Sequence, residues 1–149
     1  MAAHDLKSTL RPGMLAGLLG YRLRLAQQKV FGDFAGSVAA HFPGISPGRV
    51  GILLLVEANP GVTQSLLARA VNLDRSTMVG VLHVLEDGGM LERRRGEDRR
   101  TNGLWLTQAG RALLARLKRR ISVHEQRVAA HLSTAERAQL LALLEKLSG

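Results

Sequence analysis

The residues with the clearest chemistry are the arginines of one short polar segment, residues 93–100. This segment reads Arg-Arg-Arg-Gly-Glu-Asp-Arg-Arg, and each of its five guanidinium groups can donate paired hydrogen bonds to phosphate oxygens. The whole chain has 21 Lys and Arg against 12 Asp and Glu, a formal net charge of +9 over 149 residues. A small protein this basic usually meets a polyanion. Of the two common ones, nucleic acid and a membrane surface, we expect nucleic acid.

Residues for catalysis or metal binding do not accompany these arginines. The chain has no Cys, which excludes disulfides, thiol catalysis and thiolate zinc sites. Neither a Ser/His/Asp arrangement, nor an acidic pair, nor a phosphate-binding glycine loop stands out. We therefore expect a protein that is not an enzyme and that needs neither a metal nor a cofactor. The histidines, which have no pair at metal-ligand spacing on a helix face, are His4, His41, His83, His124 and His131.

Two features of the sequence predict a cytoplasmic protein with no membrane contact. The longest apolar stretch, residues 50–56, is far too short to span a bilayer. The first twelve residues carry Asp5, Lys7 and Arg11 and lack the apolar run of a signal peptide.

Helices must position the arginines, because apolar residues follow a helical period through most of the chain. At the N-terminal end they predict one long helix over residues 14–42, ended by Pro43 and Gly44. Such a helix is too long for a small domain to cover by itself, so we expect it to pack against a second subunit. The apolar stripe consists of Leu15, Leu19, Leu23, Ala26, Val30, Phe34 and Val38.

Helix caps predict the elements that precede the arginines. Three helices, ending near residues 58, 71 and 87, have as their N-cap residues Ser46, Thr63 and Asp74. The last two of these helices are joined by a tight turn and form a helix-turn-helix, whose second helix places its N-terminal part in the major groove of DNA. Its apolar residues turn inward, and the residues left pointing outward are Arg75, Ser76, Val79, Gly80 and His83, with Thr77 at the flank.

A β-hairpin follows the helix-turn-helix. Residues 90–93 and 101–106 have the pattern of two short strands around the polar loop 94–100. A hairpin in this place can lay cationic side chains along phosphates and into the minor groove. The alternative interpretation is an ordinary solvated charged loop. Beyond the hairpin, Thr107 caps a long helix, and Ser133 with Glu136 opens a last one as a capping box.

Three segments of this region resemble the MarR family of winged helix-turn-helix regulators. They are residues 85–93 (Leu-Glu-Asp-Gly-Gly-Met-Leu-Glu-Arg), residues 98–100 (Asp-Arg-Arg) and residues 106–110 (Leu-Thr-Gln-Ala-Gly). The match extends from about Ser46 to Gly110. Val79 and Gly80 depart from the family, in which a polar residue followed by a basic one is common there.

The resemblance implies a homodimer in which the N- and C-terminal helices form the interface. Each subunit would then bind half of a palindromic operator. The resemblance also implies that Asp98 holds the wing loop by pairing with a nearby arginine, that Arg100 contacts the minor groove, and that Arg99 is available to phosphate.

Residues and resemblance together predict a mostly α protein with a small β-hairpin wing. The predicted segments are an N-terminal dimerisation helix (1–45), a winged helix-turn-helix domain (46–106) and C-terminal dimerisation helices (107–149). The predicted function is that of a transcriptional regulator, a repressor that binds double-stranded DNA. The alternative is a non-specific architectural DNA-binding protein. The predicted DNA-binding residues are Arg75, Ser76, Thr77, His83, Arg94, Arg95, Asp98, Arg99 and Arg100.

The resemblance further implies a small effector that releases the protein from DNA. Family members usually respond to an aromatic acid or a phenolic compound, and residues 20–34 resemble members that answer to hydroxycinnamoyl-CoA thioesters. We therefore expect a small aromatic acid or its CoA thioester, since aromatic rings beside arginine and amide groups suit such a ligand. The alternative interpretation is that these side chains belong to the core or to the subunit interface. The predicted ligand residues are Tyr21, Arg24, Gln28 and Phe31.

Overall fold

The computed structural model describes residues 10–149 and has the predicted mostly helical fold with a small sheet. Residues 1–9, which include His4 and the beginning of the predicted segment 1–45, lie outside the described residues. The strands are Val62–Thr63 (β1), Leu91–Arg95 (β2) and Asn102–Leu106 (β3). The α-helices are Leu19–Ser37 (α1), Pro47–Ala58 (α2), Gln64–Ala70 (α3), Arg75–Asp87 (α4), Gln108–Val128 (α5) and Thr134–Ser148 (α6).

Every predicted cap residue begins a helix in the structure. In each case a side-chain oxygen accepts a hydrogen bond from the backbone N–H three residues further on, which satisfies a donor that has no partner inside the helix. At the start of α6 the bond is reciprocal, because the Glu136 carboxylate accepts from the backbone N–H of Ser133 at 2.8 Å. The cap oxygens belong to Ser46, Thr63, Asp74, Thr107 and Ser133.

The single long helix predicted over residues 14–42 is wrong. A 3₁₀ helix, Gly13–Gly17, precedes α1, and a second, Ala39–His41, follows it. Between the first of these and α1, Leu18 has an extended backbone with φ −85° and ψ 123°, so the chain changes direction there. The glycines on either side, Gly17 and Gly20, lower the helix propensity of this junction. The apolar spacing continues through it because spacing reports which side chains face inward and not which backbone hydrogen bonds form.

The wing is the predicted hairpin of β2 and β3, which β1 extends into an antiparallel sheet in the order β1-β3-β2. Strand β1 has only two residues, too few to show an alternating pattern in the sequence. It lies very close to β3, since a Cβ on Gly103 would be 2.7 Å from the carbonyl oxygen of Gly61. Glycine at position 103 therefore permits this approach.

Large apolar side chains remain exposed mainly at the two ends of the chain. Phe34 is the one buried residue of α1, and no residue of α6 is buried. The buried core instead lies between α2, α4, the sheet and α5. An exposed apolar surface of this extent indicates contact with another surface. Its members are Leu10, Met14, Leu15, Leu18, Leu19, Leu23, Phe31, Val123, Leu132, Leu140, Leu141, Leu143 and Leu147.

The start of α5 is fixed to the turn that follows α4. The Thr107 hydroxyl donates to the carbonyl oxygen of Gly89 at 2.6 Å, and the Thr107 backbone N–H donates to the carbonyl oxygen of Met90 at 3.1 Å. One turn further along α5, a Cβ on Gly110 would be 2.1 Å from that same Met90 oxygen. The end of α4, the end of β3 and the start of α5 therefore meet at one closely packed junction.

Candidate nucleic-acid interface

Helix α3, the first turn of α4 and the wing surround a concave basic surface. Its cavity has a volume of about 620 Å³, and within residues 10–149 no carboxylate lines it. Positive charge in a concave surface attracts anions more strongly than the same charge on a flat surface, because low-dielectric walls focus the field. The wall contains four arginines, Arg69, Arg75, Arg93 and Arg100, together with Thr63, Gln64, Ser65, Ala68, Thr101 and Asn102. We call this the basic concavity.

At the N-terminus of α4, two of the predicted DNA-binding residues are oriented by the cap residue. The Ser76 hydroxyl donates to Asp74 Oδ1 at 2.7 Å, and the Thr77 hydroxyl donates to Asp74 Oδ2 at 2.6 Å. The bond from the Thr77 hydroxyl, followed by those from the Thr77 backbone and from Ser76, holds the pKa of Asp74 well below its ordinary value. Because both hydroxyl hydrogens are given to a carboxylate, each hydroxyl oxygen is left as an acceptor toward any further partner.

The wing loop is held by Asp98, but not in the way the resemblance implies. Asp98 Oδ1 accepts from the backbone N–H groups of Arg100 at 3.2 Å and Thr101 at 3.3 Å, and from the Thr101 hydroxyl at 3.1 Å. These bonds, that from Arg100 first, lower the pKa of Asp98. Within the described residues its carboxylate contacts no arginine side chain, so the expected Asp–Arg pair is wrong. The turn also holds Arg99 in the left-handed region, with φ 54°.

Arg93, which the sequence placed only in the wing, ties the wing to both helices of the helix-turn-helix. Its Nε lies 2.7 Å from Glu86 Oε1, and its Nη2 lies 3.3 Å from Glu86 Oε2. Its Nη1 donates to Gln64 Oε1 at 3.2 Å. This paired geometry is typical of arginine and carboxylate and fixes β2 against α3 and α4. Nothing in the sequence distinguishes Arg93 from Arg94 and Arg95, because the three neighbours are the same residue type.

Arg94, one of the predicted DNA-binding residues, is also engaged within the wing. Its Nε donates to Glu92 Oε1 at 2.7 Å, and its guanidinium lies 4.9 Å from the centroid of the Trp105 ring. A cation over an indole face is attracted electrostatically by the electron-rich π face of the neutral ring. The Trp105 ring in turn packs on Gly61, where a Cβ would come within 3.1 Å of it.

The other predicted cations remain available to a ligand. Within residues 10–149, the side chains of Arg75, Arg95, Arg99 and Arg100 make no ion pair or hydrogen bond, and all four are exposed. His83 is also exposed, on the same helix as Arg75. Arg69, which was not among the predicted DNA-binding residues, lines the basic concavity with Arg75 and Arg100. The sequence feature that could have indicated Arg69 is its place near the C-terminal end of α3, the first helix of the helix-turn-helix.

A second polar cluster joins α1 to α5 and was missed from the sequence. His124 Nδ1 lies 2.7 Å from Asp33 Oδ1, and Arg127 reaches both oxygens of Asp33, at 3.1 and 2.9 Å. His124 is only 3% exposed, and its ring meets the edge of Phe34. The bonds from Arg127 and then His124 hold the pKa of Asp33 well below its ordinary value. The partners are about 90 positions apart (|i−j| of 91 and 94), so no local pattern indicates them.

The predicted ligand residues do not line one cavity in a single subunit. The guanidinium of Arg24 lies 5.6 Å from the centroid of the Tyr21 ring, and Gln28 is exposed. Phe31 lies further along α1, in the wall of a separate cleft of about 180 Å³. We call this the apolar cleft; its other lining residues are Val30, Phe34, Pro47, Val50, Ile121, His124 and Glu125.

Residues 10–149 contain no group of three or more His, Asp or Glu that could hold a metal ion. In the same part of the chain, no helix is both long enough and apolar enough to cross a membrane.

Comparison with known proteins identifies the family. A model of the MarR family matches residues 44–101, which extend from before α2 into the wing loop. A protein of Thauera aromatica, described as a proposed transcriptional regulatory protein for the hcr operon, is 39% identical over 136 residues. That alignment covers 91% of this chain and 81% of the relative. The chain belongs to the MarR family of transcriptional regulators.

Two solved structures of the transcriptional repressor CouR share the fold of this MarR-family chain. The one bound to a 23-mer DNA duplex is 38% identical with a TM-score of 0.87, over 94% of this chain and 99% of that one. The one bound to p-coumaroyl-CoA is 37% identical with a TM-score of 0.83, over 93% and 97% of the two chains. The likeness covers the terminal helices as well as the winged domain, and the MarR resemblance and the fold predicted from the sequence are confirmed.

The cluster around Asp33 predicts how this MarR-family chain responds to acid. Because the pKa of Asp33 in the folded state lies below its ordinary value of 3.8, its contribution to stability is complete at neutral pH. The contribution is lost as the pH falls below about 4 toward the folded-state pKa. In urea unfolding, we expect the free energy of unfolding of the wild type to fall more steeply below about pH 4 than that of Asp33→Asn.

Glu97→Gln, which removes an exposed carboxylate of the wing, is the matched control and should follow the wild type. Parallel acid limbs for the wild type and Asp33→Asn would contradict the assignment of Asp33 as a stabilising carboxylate.

Proposed function

We propose that this chain is a repressor that binds a palindromic operator as a homodimer and leaves it when a small aromatic ligand binds. The observation that carries the proposal is the basic concavity, which Arg75 and Arg100 line, together with the exposed wing arginines Arg95 and Arg99. The similar CouR structures, one bound to a DNA duplex and one to p-coumaroyl-CoA, support it.

On DNA, the N-terminal part of α4 enters the major groove and the wing follows the phosphate backbone into the minor groove. Ser76, Thr77, Arg75 and His83 face the bases. Since the Ser76 and Thr77 hydroxyls donate to Asp74, they accept from base donors, which in the major groove are adenine N6 and cytosine N4.

In the wing, Arg95, Arg99 and Arg100 contact phosphates and the minor groove. Asp98 contributes by shaping the loop that presents Arg99 and Arg100. The Arg94 guanidinium packs on the Trp105 ring and stabilises the pairing of β2 with β3 in the wing.

The dimer forms through the exposed apolar side chains of the terminal segments, 1–45 and 107–149. In the described part of these segments, residues 10–45 and 107–149, thirteen large apolar residues are exposed, including four leucines of α6, and a second copy of the chain would bury them. Burial of one leucine side chain contributes about 1.5–3 kcal/mol, so this surface can support a stable dimer. In this proposal, the winged helix-turn-helix domain between these segments is residues 46–106.

The effector binds where α1 borders the winged domain. The aromatic part of the ligand enters the apolar cleft beside Phe31, and its anionic group contacts the Tyr21–Arg24 pair with Gln28 nearby. Because these groups are apart in one subunit, the partner subunit completes the site. Ligand binding favours a dimer whose two α4 helices no longer match the operator half-sites.

The wing should contribute mainly affinity for DNA, and α4 should contribute discrimination between base sequences. Binding sites are first selected from a random duplex library and then titrated at several salt concentrations. Arg99→Ala should weaken binding to all duplexes and reduce the salt slope by about one unit per lost phosphate contact. Ser76→Ala should instead reduce discrimination at an operator position by about 1–3 kcal/mol, at an adenine or a cytosine.

Lys29→Ala removes the same charge from α1 and serves as the control for Arg99→Ala. An unchanged affinity and salt slope for Arg99→Ala would exclude the wing contact. Protection of DNA without a discrete palindrome in footprinting would favour the architectural alternative over a repressor.

The dimer predicts a sedimenting species of twice the 16.1 kDa chain mass at micromolar concentration. Leu140→Glu/Leu147→Glu, on one face of α6, should raise the dimer dissociation constant at least about a hundredfold, because four leucines per dimer lose their burial. Leu66→Glu introduces a carboxylate at an exposed leucine of α3 and should leave the dimer intact. A wild-type monomer that still binds the palindrome tightly would refute the dimer.

The effector site predicts that aromatic acids or their CoA thioesters release the protein from its selected operator. A ligand that prefers the DNA-free state about 100-fold shifts the equilibrium by about 2.7 kcal/mol. Arg24→Ala should need at least about tenfold more ligand, since it loses a charge-assisted bond. Lys29→Ala is the charge-matched control. Equal titrations of Arg24→Ala and wild type would remove Arg24 from the site.

A further inference from the structure

A further cleft is lined by four arginines of α5 and, from the end of α1 and the residues that follow it, by Ser37, His41 and Phe42. It has a volume of about 510 Å³, within the range of pockets that hold nucleotide-sized molecules. Its guanidinium groups belong to one face of α5, and its floor includes the buried Phe42. The arginines that line this α5 cleft are Arg116, Arg119, Arg120 and Arg127.

The arginines of the α5 cleft differ from the charged residues of an ordinary solvated helix face, where opposite charges alternate. Arg116, Arg119 and Arg120 are spaced three and four residues apart, so they lie close together, and like charges at this spacing destabilise a helix by about 0.2–0.5 kcal/mol per pair. Other cations of α5 are already paired: Lys118 with Glu57, and Arg127 with Asp33. Within residues 10–149, Arg119 and Arg120 have no carboxylate partner.

The cleft is also partly organised before any ligand arrives. The guanidinium of Arg116 lies 5.2 Å from the centroid of the Phe42 ring, which orients it and leaves its N–H edge free to donate. Asp33 fixes Arg127 through two bonds of 3.1 and 2.9 Å. Two oriented guanidinium groups beside two free ones match an anion with several oxygens, such as a chain of phosphates.

We infer that the α5 cleft binds a small molecule that carries two or more linked phosphate groups. A single phosphate would meet only part of the cleft, whereas a diphosphate can contact Arg119 and Arg120 together with Arg116 or Arg127. The site is separate from the basic concavity and from the Tyr21–Arg24 pair, so the inference requires neither the operator nor the effector proposed above.

The test is calorimetric titration of the full-length protein, without DNA, with inorganic phosphate, inorganic pyrophosphate and coenzyme A. Pyrophosphate should bind at least about tenfold more tightly than phosphate, because it gains further guanidinium contacts. Arg119→Gln/Arg120→Gln should weaken pyrophosphate binding at least about tenfold. Lys29→Gln/Lys146→Gln removes the same charge from exposed positions on α1 and α6 and should stay within about twofold of the wild type. If coenzyme A also binds more weakly to Arg119→Gln/Arg120→Gln than to the wild type and the control variant, its linked phosphates are one ligand group that the cleft can bind.

Sedimentation, thermal unfolding and operator affinity of the same variants separate this inference from the proposed function. The cleft variant should keep the oligomeric state, the fold and operator binding of the wild type. Equal binding of phosphate and pyrophosphate, or equal losses in the cleft and control variants, would overturn the inference and leave the repressor proposal intact. A cleft variant that changes only oligomerisation or only affinity for duplex DNA would also overturn it, by assigning the arginines to the partner subunit or to DNA.

Discussion

The junction between Thr107 and the turn after α4 is the constraint on which the rest of the molecule depends. The hydroxyl of Thr107 both donates to the Gly89 carbonyl oxygen and accepts from the backbone N–H of Gly110, at 2.6 and 2.9 Å. Gly110 cannot carry a side chain, because a Cβ would be 2.1 Å from the Met90 carbonyl oxygen. The Leu-Thr-x-x-Gly pattern at residues 106–110 is thus a steric and hydrogen-bonding requirement. It makes α4, the wing and α5 meet at one closely packed point.

The wing divides its arginines between structure and charge. Arg93 is bonded to Glu86 and Gln64, and Arg94 to Glu92 and Trp105, so these two build the wing. The exposed arginines further along the loop remain unpaired within the described residues. Because Arg93 and Arg94 are each paired with a carboxylate, Glu86 or Glu92, they add little net positive charge to the wing. The positive field of the wing therefore comes mainly from the exposed arginines Arg95, Arg99 and Arg100.

The sequence predicted those parts of the fold that depend on neighbours in the chain. The caps of five helices, the hairpin and the inward face of α4 all follow from residues within one or two turns of each other. The break at Leu18 was not predicted, because the apolar period continues through it. The bonds of Asp33 to His124 and Arg127, and the cleft along α5, join segments about 90 positions apart and depend on packing of whole helices. The same limit applies to Asp98, for which backbone donors at a turn replace the arginine partner implied by the family.

Trp105 gives the molecule an optical property that follows from its position in the wing. It is the chain's one tryptophan, and its ring lies between Gly61 and the guanidinium of Arg94. Indole emission responds to the polarity and charge around the ring, so the tryptophan fluorescence of this protein originates entirely from the base of the wing. Movement of β1 or of Arg94 changes the surroundings of a single chromophore, and no second tryptophan dilutes the signal. The wing is in this sense intrinsically labelled.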